Sequence, residues 1–135
     1  PFGALLVIQG EKVLEARNTV NTESDPSCHA EMNLVRMASK TLSAERRHQA
    51  VLYTSTEPCA MCAGAIYWSG IKQIVYACSG DMLNEIAGKS LVCHSAEVYK
   101  GAIEPPTVKA SNSKTIIDQA QQQHALYWTQ TWSDM

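Results

Sequence analysis

The sequence predicts a layered α/β domain. Short apolar runs with strand composition alternate along the chain with segments whose apolar residues recur every three or four positions. No internal repeat, low-complexity tract or linker interrupts this alternation. A chain of 135 residues is long enough to bury one hydrophobic core and needs no second domain. We therefore expect residues 1–135 to form a single α/β domain.

The first third of the chain is predicted to form a β-hairpin followed by a helix. Residues 3–8 are a nearly continuous apolar run and residues 12–17 follow after a break at Gly10, so we expect two paired strands. Residues 18–26 are rich in Asn, Thr, Ser, Asp and Pro, which is typical of a loop. From residue 29 to about residue 42 the apolar spacing predicts an amphipathic helix.

The middle of the chain repeats this alternation. Residues 50–55 have the composition and length of a strand. Residues 58–68 are expected to form a second helix, with Pro58 in its first turn and Ser69-Gly70 at its end. Residues 71–77 alternate as a further strand.

The last third is predicted to hold two short elements and a longer helix. We expect a short helix over residues 81–87 and a short edge strand over residues 97–103. Pro105-Pro106 should break the chain. The apolar residues between positions 115 and 128 predict a C-terminal helix.

The composition favours a small ligand over a polyanion. A net charge of -2 and a pI near 6.1 leave no general basic field to attract nucleic acid or an anionic membrane. No apolar run reaches the roughly 18 residues of a membrane helix, and the N-terminus lacks a secretory pattern, which favours a cytoplasmic protein. The chain has five cysteines, an odd number, and is large enough to fold without disulfides. Reduced thiols or metal ligands are therefore favoured over a set of disulfides.

Cys59 and Cys62 are candidate metal ligands at the start of the second helix. Because they lie three positions apart, their side chains share one helical face and can bind one ion. The helix N-terminus favours the thiolates that zinc requires. A Cys-x-x-Cys pair alone could equally be a redox pair, as in thioredoxin-like proteins.

His29 and Glu31 favour the metal interpretation. His29, at the start of the first helix, supplies a third ligand, and three protein ligands leave one position open, as in catalytic zinc sites. Zinc lowers the pKa of a bound water to about 7. At the first turn of a helix, the side chains of His29 and Glu31 can converge, so Glu31 is a candidate general base.

His29-Ala30-Glu31 and Pro58-Cys59-Ala60-Met61-Cys62 match the signature of zinc deaminases. Residues 1 to about 80 resemble the cytidine-deaminase superfamily, in particular its branch of guanine, cytosine and tRNA adenosine deaminases. Further matches to that branch are Pro1-Phe2-Gly3-Ala4 in the first strand, Asn18, Asp25-Pro26, residues 52–59 and residues 64–68. The last two segments are closest to guanine deaminases.

The resemblance implies a three-layer α/β/α fold with a mixed sheet of about five strands. It also implies a Zn²⁺ cofactor, a nucleobase or nucleoside as the substrate, and a homodimer. The helix that usually precedes the first strand in this family is expected to be missing, because the sequence starts inside that strand.

The family mechanism implies a role for each matching residue. His29, Cys59 and Cys62 would bind zinc, and Glu31 would take a proton from the metal-activated water and pass protons to the ring nitrogen and the departing amine. Ammonia would leave and a carbonyl would remain. Asn18 would orient the substrate, while Phe2 and Trp68 could line the base pocket, although each could equally be a core aromatic.

Two departures from the family limit the substrate prediction. Guanine deaminases carry an acidic Phe-Asp-Asp type stretch where this chain has residues 84–90, Asn-Glu-Ile-Ala-Gly-Lys-Ser, so the choice between a guanine- or guanosine-like and a cytosine-like substrate stays open. Residues 119–135 contain no Lys or Arg, which argues against an RNA substrate. Two alternatives to a small-molecule deaminase stay open: a deaminase acting on tRNA or single-stranded nucleic acid, and a non-catalytic zinc-binding or redox module.

The remaining cysteines, histidines and aromatics are given no catalytic role. Cys28 is expected to be a buried thiol and not a fourth ligand. The group Cys78, Cys93, His48, His94 and His124 is expected to comprise ordinary core or surface cysteines and solvated histidines. Trp128 or Trp132 could belong to a C-terminal segment that covers the pocket.

Overall fold

A computed structural model of the protein describes residues 2–88 and 91–131, with side chains as far as Trp128. Within these ranges the strands form one five-stranded sheet in the order β2-β1-β3-β4-β5. The strands are β1 (Gly3–Ile8), β2 (Glu11–Arg17), β3 (Val51–Thr56), β4 (Gln73–Cys78) and β5 (Thr107–Ala110). Strand β1 pairs antiparallel with both β2 and β3, whereas β3, β4 and β5 are parallel. The predicted mixed sheet of about five strands is confirmed.

The helices pack in two groups. They are α1 (Val20–Glu23), α2 (Ala30–Thr41), α3 (Ala44–His48), α4 (Ala60–Ser69), α5 (Gly80–Ala87), α6 (Ser95–Val98) and α7 (Lys114–Thr131). Helix α2 packs on β1 and β2 and against α4, whereas α5 packs against α7, which contacts β4. None of the helices in the described part of the chain is long and apolar enough to cross a membrane.

The core lies between the sheet and helices α2 and α4. Three residues of neighbouring strands, Leu6, Leu52 and Ile74, pack against Leu34 of α2 and Ile66 of α4. Each of these residues is at most 1 % exposed. Burying five such side chains contributes roughly 1.5–3 kcal/mol each relative to exposure. This shared core fixes α2 and α4 side by side, and therefore fixes their N-termini at the same end of the sheet.

The turn residues explain where two elements end. Gln9 and Gly10 have φ values of 52° and 80°, which is the left-handed backbone that a two-residue hairpin turn requires. Gly70 ends α4 with φ 82°, and a Cβ added there would lie 2.6 Å from the ring of His48. Glycine is therefore needed at position 70 for its backbone and for the space it leaves.

One of the predicted elements is wrong. Residues 97–103 are not an edge strand: α6 and a 3₁₀ turn (Tyr99–Gly101) occupy this segment, because the helical turn buries Tyr99 and lets its hydroxyl donate to Ala63 O at 2.7 Å. The edge strand is β5, which begins directly after Pro105-Pro106, a position where a strand tolerates proline.

Two short helices were not predicted. Within the expected loop 18–26, α1 forms because the side-chain Oδ1 of Asn18 accepts a hydrogen bond from Val20 N at 3.0 Å. Helix α3 starts at Ser43, whose Oγ accepts from Arg46 N at 3.2 Å. Both are too short to show an apolar repeat.

Candidate active site

The start of α2 and the start of α4 bring a histidine and two cysteines together. His29 is the N-cap of α2 and Cys59 is the N-cap of α4, each with extended backbone, while Cys62 lies in the first turn of α4. One ligand atom from each of the three residues lies within 4.8 Å of the other two, and Cys59 Sγ is 3.5 Å from His29 Nδ1. The packing of α2 on α4 thus joins residues thirty positions apart.

Proton sharing within this group shifts the pKa of each member. A hydrogen bond from Cys62, helped by His29, lowers the pKa of Cys59 to about 4. The hydrogen bond to Cys59 raises the pKa of His29, and the same partner together with burial raises the pKa of Cys62. The group therefore holds one thiolate readily, and a divalent cation is what would favour a second one.

The donor set fits zinc. One imidazole nitrogen and two sulfurs at this spacing can surround a tetrahedral ion, and three protein ligands leave one position open. Among the residues that the structure describes, no other group of three metal-binding side chains was found. Cys28 is buried and is not in the group, as expected, and Arg36 Nη1 lies 3.7 Å from its sulfur.

Glu31 is a buried carboxyl beside this group. It lies in the first turn of α2 with 5 % of its surface exposed, and burial raises its pKa. The hydroxyl of Thr54 donates to Glu31 Oε1 at 2.5 Å, and Thr54 Oγ1 also lies 3.0 Å from Thr56 O. Because its pKa is raised, Glu31 holds a proton more readily than an exposed carboxyl does, which suits a group that takes up and gives back protons.

These groups open into a cavity of about 1160 Å³. Of the residues singled out in the sequence, Phe2, Asn18, His29, Glu31 and Cys59 line it. Cys62 is fully buried behind Cys59. The other walls are mostly apolar and include Val20, Met61, Leu83, Ala87, Leu91, Val92, Tyr127 and Trp128. Trp128 thus faces the cavity, while Trp132 lies outside the described residues.

The structure does not place Trp68 in this cavity. Trp68 lies in the last turn of α4, nine residues after Cys59, which is about 13 Å along a helix. Its side chain is 84 % exposed and borders a separate shallow groove with Ile103 and Lys72. The expectation that Trp68 lines the base pocket is therefore not supported by its position.

Glu57 joins the metal-ligand loop to the far wall of the cavity. Its Oε1 accepts from Gly80 N at 2.9 Å, and its Oε2 accepts from Ser95 N at 3.2 Å and from Ser95 Oγ at 3.3 Å. His94 lies 3.7 Å from the same carboxylate and 3.3 Å from Asp81. Glu57 lies two positions before Cys59 in the sequence, but no sequence pattern predicted these hydrogen-bond partners.

His124 was expected to be solvated, and this prediction is wrong. Its side chain is fully buried, Nε2 lies 2.7 Å from Thr56 Oγ1, and its ring centroid lies 4.8 Å from that of Phe2. Desolvation lowers its pKa to about 4, so the imidazole is neutral. His124 packs the middle of α7 against Thr56 and Phe2 of the cavity wall. The surrounding segment is rich in Gln and has a weak apolar pattern, so no sequence signal marked it.

Comparison with known proteins agrees with this geometry. A family model described as the cytidine and deoxycytidylate deaminase zinc-binding region matches residues 1–78, which is more than half of the chain. The guanine deaminase of Bacillus subtilis is 48 % identical over 77 residues, which are 57 % of this chain and 49 % of that protein. The tRNA-specific adenosine deaminase of the same organism is 39 % identical over 111 residues, 77 % of this chain and 68 % of that protein.

A solved structure supports the fold over nearly the whole chain. The guanine deaminase from Nitrosomonas europaea superposes with a TM-score of 0.76 at 25 % identity, covering 96 % of this chain and 73 % of that one. The chain spans about half the length of the Bacillus subtilis guanine deaminase that it matches. With its His29, Cys59 and Cys62 group in the matched region, the chain belongs to the cytidine and deoxycytidylate deaminase family, whose zinc-binding region it carries.

Proposed function

We propose that this protein is a zinc-dependent hydrolase that removes an exocyclic amino group from a nucleobase or nucleoside. The observation that supports this most directly is the buried carboxyl of Glu31 in the same cavity as His29 and Cys59. A non-catalytic zinc module or a redox pair would not need a proton-carrying carboxyl at that position.

The proposed reaction divides the work between the metal ligands and Glu31. His29, Cys59 and Cys62 would hold zinc, which when bound would supply hydroxide at neutral pH. A C–O bond forms at the ring carbon that bears the amine, and the C–N bond breaks to release ammonia. Glu31 would accept the two protons of the attacking water one after the other, and would donate the first to the ring nitrogen and the second to the leaving amine.

Asn18 and Phe2 are the proposed substrate contacts. Both line the cavity, and the Oδ1 of Asn18 accepts a hydrogen bond from Val20 N, so we assign its amide N–H groups to the ligand. The ring of Phe2 offers an apolar face for a base and is supported from behind by His124.

The carboxylates of the cavity bear on which base is recognised. Among the described lining residues the carboxylates are Glu31 and Glu57, and Glu57 already accepts hydrogen bonds from Gly80 and Ser95. A further carboxylate for the amide edge of guanine is absent from these lining residues. We therefore place cytosine-like and adenine-like substrates beside guanine in the first screen.

A deaminase acting on tRNA is the second candidate. It is favoured by the match to the tRNA-specific adenosine deaminase, which covers more of this chain than the match to the guanine deaminase does. Against it, Arg17 is the only Lys or Arg among the described residues that line the cavity. The expected homodimer and cytoplasmic location likewise remain proposals.

A substrate screen tests the proposal. The zinc-loaded chain is incubated with guanine, cytosine, adenine and their nucleosides, and with tRNA, and ammonia or inosine is measured. Release of ammonia from a free base or nucleoside supports the proposal. Activity confined to tRNA, with an affinity that falls steeply with salt, supports the second candidate. No product from any substrate contradicts both.

A further inference from the structure

Asn33, in the first turn of α2, contacts the two chain segments that carry Asn18 and His29. We propose that Asn33 is a positioning residue that fixes the substrate-contacting Asn18 relative to the metal ligand His29. This inference rests on the proposed function, because it assumes that Asn18 contacts substrate. The side chain of Asn33 contacts Arg17 and Thr19, the neighbours of Asn18, and Cys28, the neighbour of His29.

The side-chain amide of Asn33 connects the residues on either side of Asn18. Its Nδ2 donates to Arg17 O at 2.9 Å and to Thr19 Oγ1 at 2.9 Å. The same Nδ2 lies 3.4 Å from Cys28 O, the carbonyl of the residue before His29. One amide group thus contacts the end of β2, the start of α1 and the entry to α2.

The orientation of this amide is fixed by its other end. Arg36 Nη1 donates to Asn33 Oδ1 at 3.3 Å, and Arg36 Nη2 donates to Ser27 Oγ at 2.9 Å. If the amide were reversed, its oxygen would face the carbonyls of Arg17 and Cys28, and its N–H groups would face a cation. Asn33 is therefore the donor to the two flanking segments.

Asn33 and His29 both belong to the start of α2. Asn33 N donates to His29 O at 2.9 Å as part of the first turn of α2, so the two residues move together. Asn18 belongs to a different segment. Two contacts join that segment to the start of α2: Thr19 N donates a hydrogen bond to Cys28 O at 2.9 Å, and the Asn33 amide donates to Thr19 Oγ1. Without the amide, a single backbone bond would join Thr19 to the residue before His29.

The position of Asn18 matters because the reaction requires a defined distance between substrate and metal. A displacement of about 1 Å in a substrate-positioning group can cost about a hundredfold in rate. An Asn33 variant should therefore weaken catalysis through Asn18, with the metal group intact.

A double-mutant cycle tests this coupling. Asn33→Asp keeps the size of the side chain and removes both donors, and Asn33→Ala removes the donors without adding charge. In the wild-type background we expect kcat/KM to fall roughly 10- to 100-fold, with KM raised. In an Asn18→Ala background the same changes should cost less than about 3-fold. Asn112→Asp, the same change at an exposed position, should leave kcat/KM unchanged.

Zinc content and thermal unfolding are measured on every variant. Full zinc with a loss that depends on Asn18 supports the proposal. An equal fold-loss in both backgrounds, or loss of zinc from folded Asn33→Ala, overturns it. If the wild type deaminates nothing, the proposed function fails by itself. A crystal structure of Asn33→Ala then decides the positioning role: a shift of Asn18 relative to His29 supports it, and an unmoved Asn18 overturns it.

Discussion

The hydroxyl of Thr54 on β3 lies 2.5 Å from Oε1 of Glu31 and 3.0 Å from the carbonyl oxygen of Thr56. A hydroxyl has one proton and can also accept, so it can partner both forms of the carboxyl. When Glu31 is ionised, Thr54 donates to it. When Glu31 is protonated, Thr54 can accept from it and donate to Thr56 O. The buried carboxyl thus keeps a hydrogen-bond partner in either protonation state.

Thr54→Val should therefore impair catalysis without removing the metal. The isosteric change leaves Glu31 without its hydroxyl partner, and we expect kcat to fall roughly 10- to 100-fold. Because the Thr54 hydrogen bond lowers the pKa of Glu31, its loss should move the acidic limb of the pH-rate profile to higher pH. Thr54→Ser is the matched control and should retain most activity. A Thr54→Val enzyme with the wild-type profile would refute the role.

Removal of any of the three metal ligands should abolish zinc binding. His29→Ala, Cys59→Ser and Cys62→Ser each break the donor set, and we expect less than about a tenth of the wild-type zinc after dialysis against a weak chelator. Cys28→Ser and Cys93→Ser are the controls and should keep one zinc per chain. Elemental analysis of the purified variants measures the difference. Zinc loss from Cys28→Ser would show that the ligand set is incomplete.

Glu57→Gln should destabilise the far wall of the cavity. The amide of Gln keeps one acceptor and places N–H groups against Gly80 N or the Ser95 donors, so at least one hydrogen bond is lost. We expect the free energy of unfolding to fall by about 1–3 kcal/mol. Urea denaturation checks this. Glu97→Gln, which removes only an exposed pair with Lys100, should change stability by less than about 1 kcal/mol. Equal effects of the two changes would contradict the role of Glu57.

His124 should make the protein less stable as the pH falls from about 6.5 to about 4. Its pKa is depressed to about 4 by burial, so in this window the unfolded chain binds a proton that the folded chain does not. Stability then falls with pH by at most about 1.4 kcal/mol per pH unit from this group.

His124→Gln can still hydrogen-bond to Thr56 but cannot titrate, so its stability should depend less steeply on pH in the same window. Urea denaturation at several pH values compares the slopes of the variant and the wild type. Parallel slopes would mean that His124 is not the group responsible.

The metal group could be predicted from the sequence because its residue types are rare and their spacing is diagnostic. Cys59 and Cys62 share one helical turn, and His29 starts another helix, so local pattern was sufficient. Glu31 followed from the same motif. The sheet was predicted in most of its strands because β1 is a nearly continuous apolar run, β3 has the composition and length of a strand, and β4 alternates.

The partners of the site could not be predicted, because they depend on contacts between distant segments. Thr54 is 23 positions from Glu31 and His124 is 68 positions from Thr56. For Trp68, a motif match near Cys62 suggested a role in the pocket. In the structure Trp68 lies in the last turn of α4, where its side chain is exposed. Strand β5 was missed because four residues after two prolines give too little alternation.

The most direct test of the proposed function compares wild type with Glu31→Gln at equal zinc content. Ammonia release is followed with the best substrate from the screen, and bound zinc is quantified in the same samples. We predict one zinc per chain in both proteins and a loss of at least about a thousandfold in kcat for Glu31→Gln. Comparable kcat values for the two zinc-loaded proteins would contradict the role of Glu31 and, with it, the proposed deaminase chemistry.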